Sequence, residues 1–168
     1  DRRPQVLITY NEIGNYGHPD HIQAHRVGMY ATQLAGVPSY RLDLGEPWTV
    51  ARVYWSTISK SEIFAGIQAL RDAGDTETFK ELDPDGPLSS MMSDDADIAV
   101  EIDGRPWVAQ KLAAMRAYAT QITADGPFFA GADVLGDDRW AREYYRLASG
   151  VPLPAGEGWA DDLFAGLS

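Results

Sequence analysis

Residues 5–25 read QVLITYNEIGNYGHPDHIQAH and contain the change of pattern that decides the fold. Residues 5–10 are a short apolar run of the kind that is buried in a parallel sheet, so they predict a strand. Residues 11–17 are rich in Asn and Gly, which is typical of a loop, and Pro19 suits the first turn of a helix because its missing N–H has no partner to lose. Strand, loop and helix in this order form a β–α unit, and open α/β sheets bind their ligands in the loop that follows such a strand.

Similar patterns recur further along the chain. Residues 50–58 (VARVYWSTI) predict a second strand, and residues 59–62 (SKSE) fit a capping box that begins a second helix. Residues 97–103 (DIAVEID) alternate strictly, which predicts a half-exposed strand that is antiparallel or lies at an edge. Residues 143–147 predict a last strand. A helix beginning at Pro106 is expected to bury the apolar residues that recur at helical spacing, which are Leu112, Met115, Ala119 and Ile122.

Composition restricts the classes of function. The net charge of −11, from 25 acidic and 14 basic residues, would repel a phosphate backbone, so no nucleic-acid partner is expected. No apolar run approaches the roughly 20 residues that cross a bilayer, so no membrane association is expected. The absence of cysteine leaves His, Asp and Glu as ligands for a transition metal, which favours zinc or iron. The 168 residues have the size of one domain, and we expect a cytoplasmic protein.

All three histidines, His18, His21 and His25, lie within eight positions. Residues four apart share a helix face, so His21 and His25 could bind one metal ion, and His21 is the stronger ligand candidate. His18, at the helix entrance, is the stronger acid–base candidate, and Asp20 could accept its N–H and hold it protonated. Structural interpretations stay open: a structural His25, an Asp20 that only caps the helix, and a Tyr16 that either packs on the loop or donates to a substrate. With one or two credible ligands and no free base, the site is predicted to be incomplete.

The segment ITYNEIGNYGHPDHIQAH resembles the second signature of the LmbE-like zinc-dependent deacetylases, T-Y-D-x-x-G-G-Y-G-H-P-D-H. The segments GEPWTVARVYWSTIS, RAYATQI and GEGWADDLFAGL are similar to the actinobacterial branch of this family, which acts in mycothiol metabolism. The resemblance therefore covers most of the chain. It implies an α/β fold with a Rossmann-like, mostly parallel sheet and flanking helices.

The resemblance also implies roles for the residues of the loop. His21 would be a zinc ligand, with Fe²⁺ as the alternative metal, and His18 would be the general acid or oxyanion stabiliser. Asp20 would orient His18. Tyr16 would polarise the amide carbonyl of the substrate, and His25 would have a supporting role.

The chain departs from the family pattern in ways that limit what it can do. Family members hold zinc with a His and an Asp of an N-terminal A-H-P-D-D-E motif as well, and the other Asp of that motif is the base; the motif does not occur in these 168 residues. We therefore expect residues 1–168 to be the C-terminal part of a single LmbE-like domain, inert by itself, with the missing segment preceding Asp1. Asn11, Asn15 and Tyr118 stand where the family usually has Asp, Gly and His. Asn15 suits left-handed backbone geometry, whereas the contributions of Asn11 and Tyr118 to substrate contact stay open.

The function expected from the resemblance is removal of the N-acetyl group of an N-acetylglucosaminyl-inositol once the missing segment is present. The form YGHPDH and the pair Tyr54-Trp55 favour this reaction. Hydrolysis of the amide of a mycothiol S-conjugate is the alternative reaction. A catalytically inactive binding domain, which kept the loop but lost the first motif, is the alternative from a different class.

Overall fold

The computed structural model describes residues 2–83, 89–123, 129 and 141–167. Its helices are α1 (Gly14–Gly17), α2 (Pro19–Ala35), α3 (Lys60–Asp72) and α4 (Val108–Ala117). Its strands are β1 (Val6–Thr9), β2 (Arg52–Ser59), β3 (Met92–Ser93), β4 (Val100–Asp103) and β5 (Arg142–Gly150). Short 3₁₀ turns occur at Leu42–Leu44, Asp95–Asp97 and Arg105–Trp107.

The strands form one sheet in the order β1-β2-β5-β4, and β3 pairs with the far end of β2. β1 and β3 are both parallel to β2, whereas β5 is antiparallel to its neighbours β2 and β4. Of the five strands within the described ranges, four therefore point the same way and β5 alone opposes them. The α/β fold with a mostly parallel sheet and flanking helices is confirmed, and so is an antiparallel strand within residues 97–103.

Two of the predicted β–α units are present. β1 and α2 enclose the loop of residues 10–18, and β2 leads directly into α3. Ser59 caps α3 as predicted, since its Oγ accepts a hydrogen bond from the backbone N–H of Glu62 at 3.2 Å. Thr9 is level with Trp55 in the β1–β2 pairing, so β2 continues past the end of β1 and pairs there with β3 through Ile58 and Ser59.

The helix predicted from Pro106 is shorter than its apolar spacing indicated. A 3₁₀ turn occupies residues 105–107, and α4 ends at Ala117 because Tyr118 leaves helical geometry. Leu112 is buried, but Ala119 lies beyond the end of the helix and is exposed. The prediction that Ala119 belongs to the core is therefore wrong.

The core cluster is built on Tyr54, Val100 and Tyr145, and the chain after β5 packs against it. We call residues 151–167 the C-terminal tail. Within the tail, Ala160 forms a parallel bridge with Val100. The Tyr54 hydroxyl donates to the carbonyl oxygen of Leu163 at 3.0 Å.

A buried arginine ties the tail to the sheet. Arg52 is fully buried, and its Nε, Nη2 and Nη1 donate to the carbonyl oxygens of Val151, Pro152 and Leu163 at 2.8, 3.1 and 3.1 Å. A buried charge is tolerated only where its hydrogen bonds are satisfied, and main-chain carbonyls supply that here. The apolar run of residues 50–58 gave no indication of this contact.

None of the helices in the described part of the chain is long and apolar enough to cross a membrane.

Candidate active site at the entrance of helix α2

The loop between β1 and α2 is held from inside by Asn11. Its Oδ1 accepts hydrogen bonds from the backbone N–H groups of Ile13 and Asn15 at 3.2 and 2.8 Å, which closes an Asx turn. Its Nδ2 donates to the carbonyl oxygen of Ser90 at 3.3 Å, just before β3. A carboxylate at position 11 could make the first two bonds but not the third, because it has no N–H to donate.

The same loop approaches the first turn of α2 closely. Gly14 has φ +65°, and a Cβ at this position would lie 2.7 Å from the backbone nitrogen of Ile22 and 2.8 Å from the Cβ of His21. Asn15 has the positive φ that the sequence led us to expect, +63°, but its ψ of −56° lies outside the left-handed helical region, and its Nδ2 lies 3.5 Å from the Ser56 hydroxyl. Glycine at position 14 thus allows the loop to lie directly on the helix turn that carries His21.

His18 is the N-cap of α2, with Pro19 at the first helical position. The backbone N–H of Asp20 donates to His18 Nδ1 at 3.2 Å. Because Nδ1 accepts this bond, the ring proton is on Nε2. The expected bond from His18 to the Asp20 carboxylate is not among the contacts of the described residues, and the capping role considered for Asp20 belongs to His18.

His21 lies at the centre of an aromatic cluster. Its ring stacks on Tyr10, with centroids 4.1 Å apart and planes 8° apart, and meets Tyr16 edge to face at 4.9 Å. The His18 ring is 5.1 Å from His21 and 6.0 Å from Tyr16. Tyr16 and His18 are exposed, as is Asp20, whereas His21 is half-buried. The structure therefore brings together Tyr16, His18 and His21.

His25 makes different contacts from the other two histidines. Its Nδ1 lies 2.9 Å from the carbonyl oxygen of Tyr10, and its ring meets Trp55 edge to face at 5.6 Å. A carbonyl oxygen can only accept, so Nδ1 carries the proton and donates it. His25 is half-buried against β2, one helical turn after His21.

The described residues offer one candidate ligand for a metal ion, not a complete set. His21 Nδ1 is buried and has no hydrogen-bond partner in the described part of the chain, which fits an imidazole that serves a further group. Asn15 Oδ1 and Trp55 Nε1, close to the same loop, are also buried without a partner there. However, the described ranges contain no cluster of three His, Asp or Glu residues able to hold a metal.

A second polar group lies where β2 ends, and no pattern in the sequence indicated it. Ser59 Oγ donates to Asp95 Oδ1 at 2.8 Å, and the backbone N–H of Ser61 donates to the same oxygen at 3.4 Å. Burial opposes ionisation of Asp95, but hydrogen bonds from Ser61 and Ser59 outweigh it and hold the pKa of that carboxyl below its usual value. An open pocket beside it is lined by Lys60, Ser61, Phe64, Asp94, Asp95 and Ala96. None of the three histidines contributes to that lining.

Comparison with known proteins connects this geometry to a family. No protein-family model matches the chain. The chain is 54% identical to a protein of Nocardioides sp. over 98% of its own length and 55% of that protein's length. It is 52% identical to a protein of Geodermatophilus obscurus and 49% identical to one of Kribbella flavida, again over 98% of its own length. All three relatives are named 1D-myo-inositol 2-acetamido-2-deoxy-alpha-D-glucopyranoside deacetylase.

The chain is similar to these deacetylases over nearly all of its own length, in agreement with the LmbE-like resemblance of its loop. It spans about half the length of the curated relatives it matches. The loop and the helix entrance are the parts that resemble the LmbE-like signature, and they form the aromatic cluster around His21. Tyr118, one of the departures from the family pattern, lies at the end of α4 and is 63% exposed. Within the described part of the chain, its backbone hydrogen bonds are with residues of its own turn and not with the histidine cluster.

Proposed function

We propose that the chain forms the C-terminal part of a metal-dependent N-deacetylase that acts on an N-acetylglucosaminyl-inositol. The observation that carries this proposal is the convergence of Tyr16, His18 and His21 at the carboxyl end of β1, where α/β sheets bind ligands. Relatives that are 54% and 49% identical to this chain over the aligned residues are named as deacetylases of such a sugar, and this supports the same reaction. Water would add to the acetamide carbonyl, the C–N bond would break, and the products would be acetate and the free amine.

His21 is the proposed metal ligand of this chain. Its buried, unpartnered Nδ1 and its half-buried ring suit a fixed donor, and zinc is the proposed metal, with Fe²⁺ as the alternative. When bound, the metal supplies Lewis acidity at the carbonyl and lowers the pKa of the attacking water.

His18 and Tyr16 are proposed to stabilise the negative charge that develops on the carbonyl oxygen. His18 Nδ1 is occupied by the Asp20 backbone N–H, which leaves Nε2–H as the donor for a substrate atom. In this arrangement Asp20 orients His18 through its main chain. The exposed Tyr16 hydroxyl and His18 Nε2–H would donate to the carbonyl oxygen as negative charge develops on it, and the general base, which takes a proton from the attacking water, would pass that proton to the departing amine.

An N-terminal segment of the same protein is proposed to supply the other two ligands and the general base. The outer edge of β1 is unpaired within the described residues, and Ile8 on that strand is 45% exposed. Along α2, which lies wholly in the described ranges, no residue is buried, and Val27 and Tyr30 are 58% and 60% exposed. An open strand edge beside an exposed apolar helix face suits further strands of the same sheet. The net charge of −11 argues against a nucleic-acid partner, and a cytoplasmic location remains a prediction from the sequence.

The test compares the 168-residue chain with a protein extended at its N-terminus by the corresponding part of a relative. We expect the extended protein to bind zinc and release acetate from N-acetylglucosaminyl-inositol, and the 168-residue chain to do neither. His21→Ala in the extended protein should abolish zinc binding and activity together, whereas His25→Asn is the matched histidine control. Retention of both by His21→Ala would contradict the proposal.

Two other outcomes would replace the proposed reaction. Faster hydrolysis of a mycothiol S-conjugate than of the N-acetyl sugar would favour the amidase. An extended protein that binds the sugar, but binds no zinc and releases no acetate, would favour an inactive binding domain.

A further inference from the structure

We propose that His25 is a positioning residue that sets the orientation of the His21 imidazole through Tyr10, an inference that rests on the proposed function of His21 as metal ligand. A metal-binding imidazole is ordinarily oriented by a hydrogen bond to its other ring nitrogen. Neither ring nitrogen of His21 has a hydrogen-bond partner in the described part of the chain, so no such bond orients the ring there. Its orientation must therefore come from packing, and the closest ring contact is the stack on Tyr10.

The first of three contacts that carry this proposal joins His25 to the main chain of Tyr10. His25 Nδ1–H donates to the Tyr10 carbonyl oxygen at 2.9 Å. Tyr10 directly follows the last residue of β1, at the point where the chain leaves the sheet. The hydrogen bond thus anchors the backbone of Tyr10 to a helix residue fifteen positions away in sequence.

The second contact joins the Tyr10 side chain to His21. The two rings lie almost parallel, with 8° between their planes and 4.1 Å between their centroids. A ring that is stacked in this way cannot tilt without losing the contact area of both faces. Fixing the backbone of Tyr10 therefore restricts the plane of the His21 ring.

The third contact fixes His25 itself. Its ring meets Trp55 of β2 edge to face at 5.6 Å, so it is held between the helix and the sheet. His21 and His25 are also joined through one turn of α2, since residues four apart lie on the same face. His21 contacts Tyr10, Tyr10 contacts His25, and α2 joins His25 back to His21. The position of each of the three rings therefore depends on the other two.

The test uses His25→Ala and His25→Asn in the 168-residue chain. The Asn side chain can place its amide N–H near the position of imidazole Nδ1, so it keeps the bond to Tyr10 but removes the ring. The wild-type chain has three imidazoles, so each gives a separable set of NMR resonances. Stacking on Tyr10 should shift the ring protons of His21 upfield. We expect His25→Ala to reduce this shift and His25→Asn to retain it.

Variants of Tyr10 make the experiment independent of whether His25→Ala folds. Tyr10→Leu removes the stacked ring and should move the His21 resonances, whereas Tyr10→Phe keeps the ring and should leave them in place. His21 resonances that are the same in His25→Ala as in wild type would overturn the proposal. The proposal would also be overturned if the His21 ring protons had the same chemical shifts in His25→Asn as in Tyr10→Leu.

Zinc affinity of the N-terminally extended protein, measured by competition with a chelator, supplies the second measurement. Removal of an outer-shell contact typically lowers metal affinity about 10–100-fold, and we expect that loss in His25→Ala but not in His25→Asn. If the extended protein binds no zinc while the His21 resonances still respond to His25→Ala, the proposed metal chemistry fails but the positioning of His21 by His25 stands. Equal zinc affinity in wild type and His25→Ala would contradict the positioning proposal.

Discussion

The ring of His21 lies flat on the ring of Tyr10, 4.1 Å away and 8° from parallel. Tyr10 is the first residue after β1, and His21 is in the first turn of α2. The stack therefore joins the end of a strand to the start of the helix that follows it, across a loop that carries Tyr16 and His18. The geometry of the candidate site depends on this contact and on the close packing of Gly14 against the same helix turn.

Gly14→Ala should destabilise the protein more than Gly17→Ala. Both glycines have positive φ, so each alanine adds about 1–2 kcal/mol of backbone strain. At Gly14 the new Cβ would also meet Ile22 and His21 below 3.0 Å, whereas at Gly17 it would meet no atom within 4 Å. We expect the steric contact to add roughly 1–3 kcal/mol to the loss in unfolding free energy, measured by urea denaturation. Equal losses in the two variants would show that the loop does not press on α2.

Tyr16→Phe should slow the proposed reaction without changing metal content. Removal of one donor to a developing oxyanion typically lowers kcat about 10²–10³-fold. The edge-to-face contact between the ring at position 16 and His21 would remain, so zinc binding should be unchanged. The measurement is acetate release by the N-terminally extended protein, with zinc content determined in parallel. Tyr40→Phe, another exposed tyrosine, is the control; a similar loss in both would argue against a catalytic hydroxyl at position 16.

Arg52→Met should destabilise the fold and loosen the C-terminal tail. The substitution leaves the carbonyls of Val151, Pro152 and Leu163 without the donors that they have in the structure. Each lost bond to a charged group contributes about 1.5–3 kcal/mol, and because the three bonds share one side chain their losses do not add fully, so a loss of roughly 3 kcal/mol or more in unfolding free energy is expected. Hydrogen exchange should rise selectively in residues 151–167. Arg41→Met, at an exposed arginine paired with Asp43, should leave both measurements close to wild type.

Asp95 should make stability depend on pH in the acid range. The folded-state pKa of this carboxyl is below its ordinary value of 3.8, so the unfolded chain takes up a proton at higher pH than the folded one. Its contribution is fully present above the ordinary value and is lost as the pH falls through the lower folded-state value. The difference in unfolding free energy between wild type and Asp95→Asn should therefore be constant above about pH 5 and shrink below the unfolded pKa. A difference that grows on acidification would contradict this account.

The sequence predicted the features that depend on periodicity and on clustering. Apolar runs identified β1 and β2, and the capping pattern at Ser59 identified the start of α3. Because His18 and His21 are three positions apart in sequence, their closeness in space was also predictable. The end of α4 was not, since the apolar spacing continues to Ile122 although Tyr118 leaves helical geometry.

Contacts between distant residues gave no sequence signal. Nothing in the pattern around Tyr10 indicates that its ring stacks on His21 or that its carbonyl accepts a bond from His25. The bond from Asn11 to Ser90 joins residues 79 positions apart, and it gives Asn11 a role in holding the loop that its difference from the family pattern left open. Such contacts depend on how elements meet in three dimensions, whereas periodicity describes each element separately.

Arg52 binds the C-terminal tail only through carbonyl oxygens. Every amino acid provides that acceptor, so the three hydrogen bonds from Arg52 depend on the path of the main chain and not on the side chains at positions 151, 152 and 163. Related proteins could accumulate substitutions at Val151 and Leu163 while keeping the same attachment, provided that an arginine remains at the base of the second strand. The side chains of the C-terminal tail can therefore change in evolution while its attachment to Arg52 is kept.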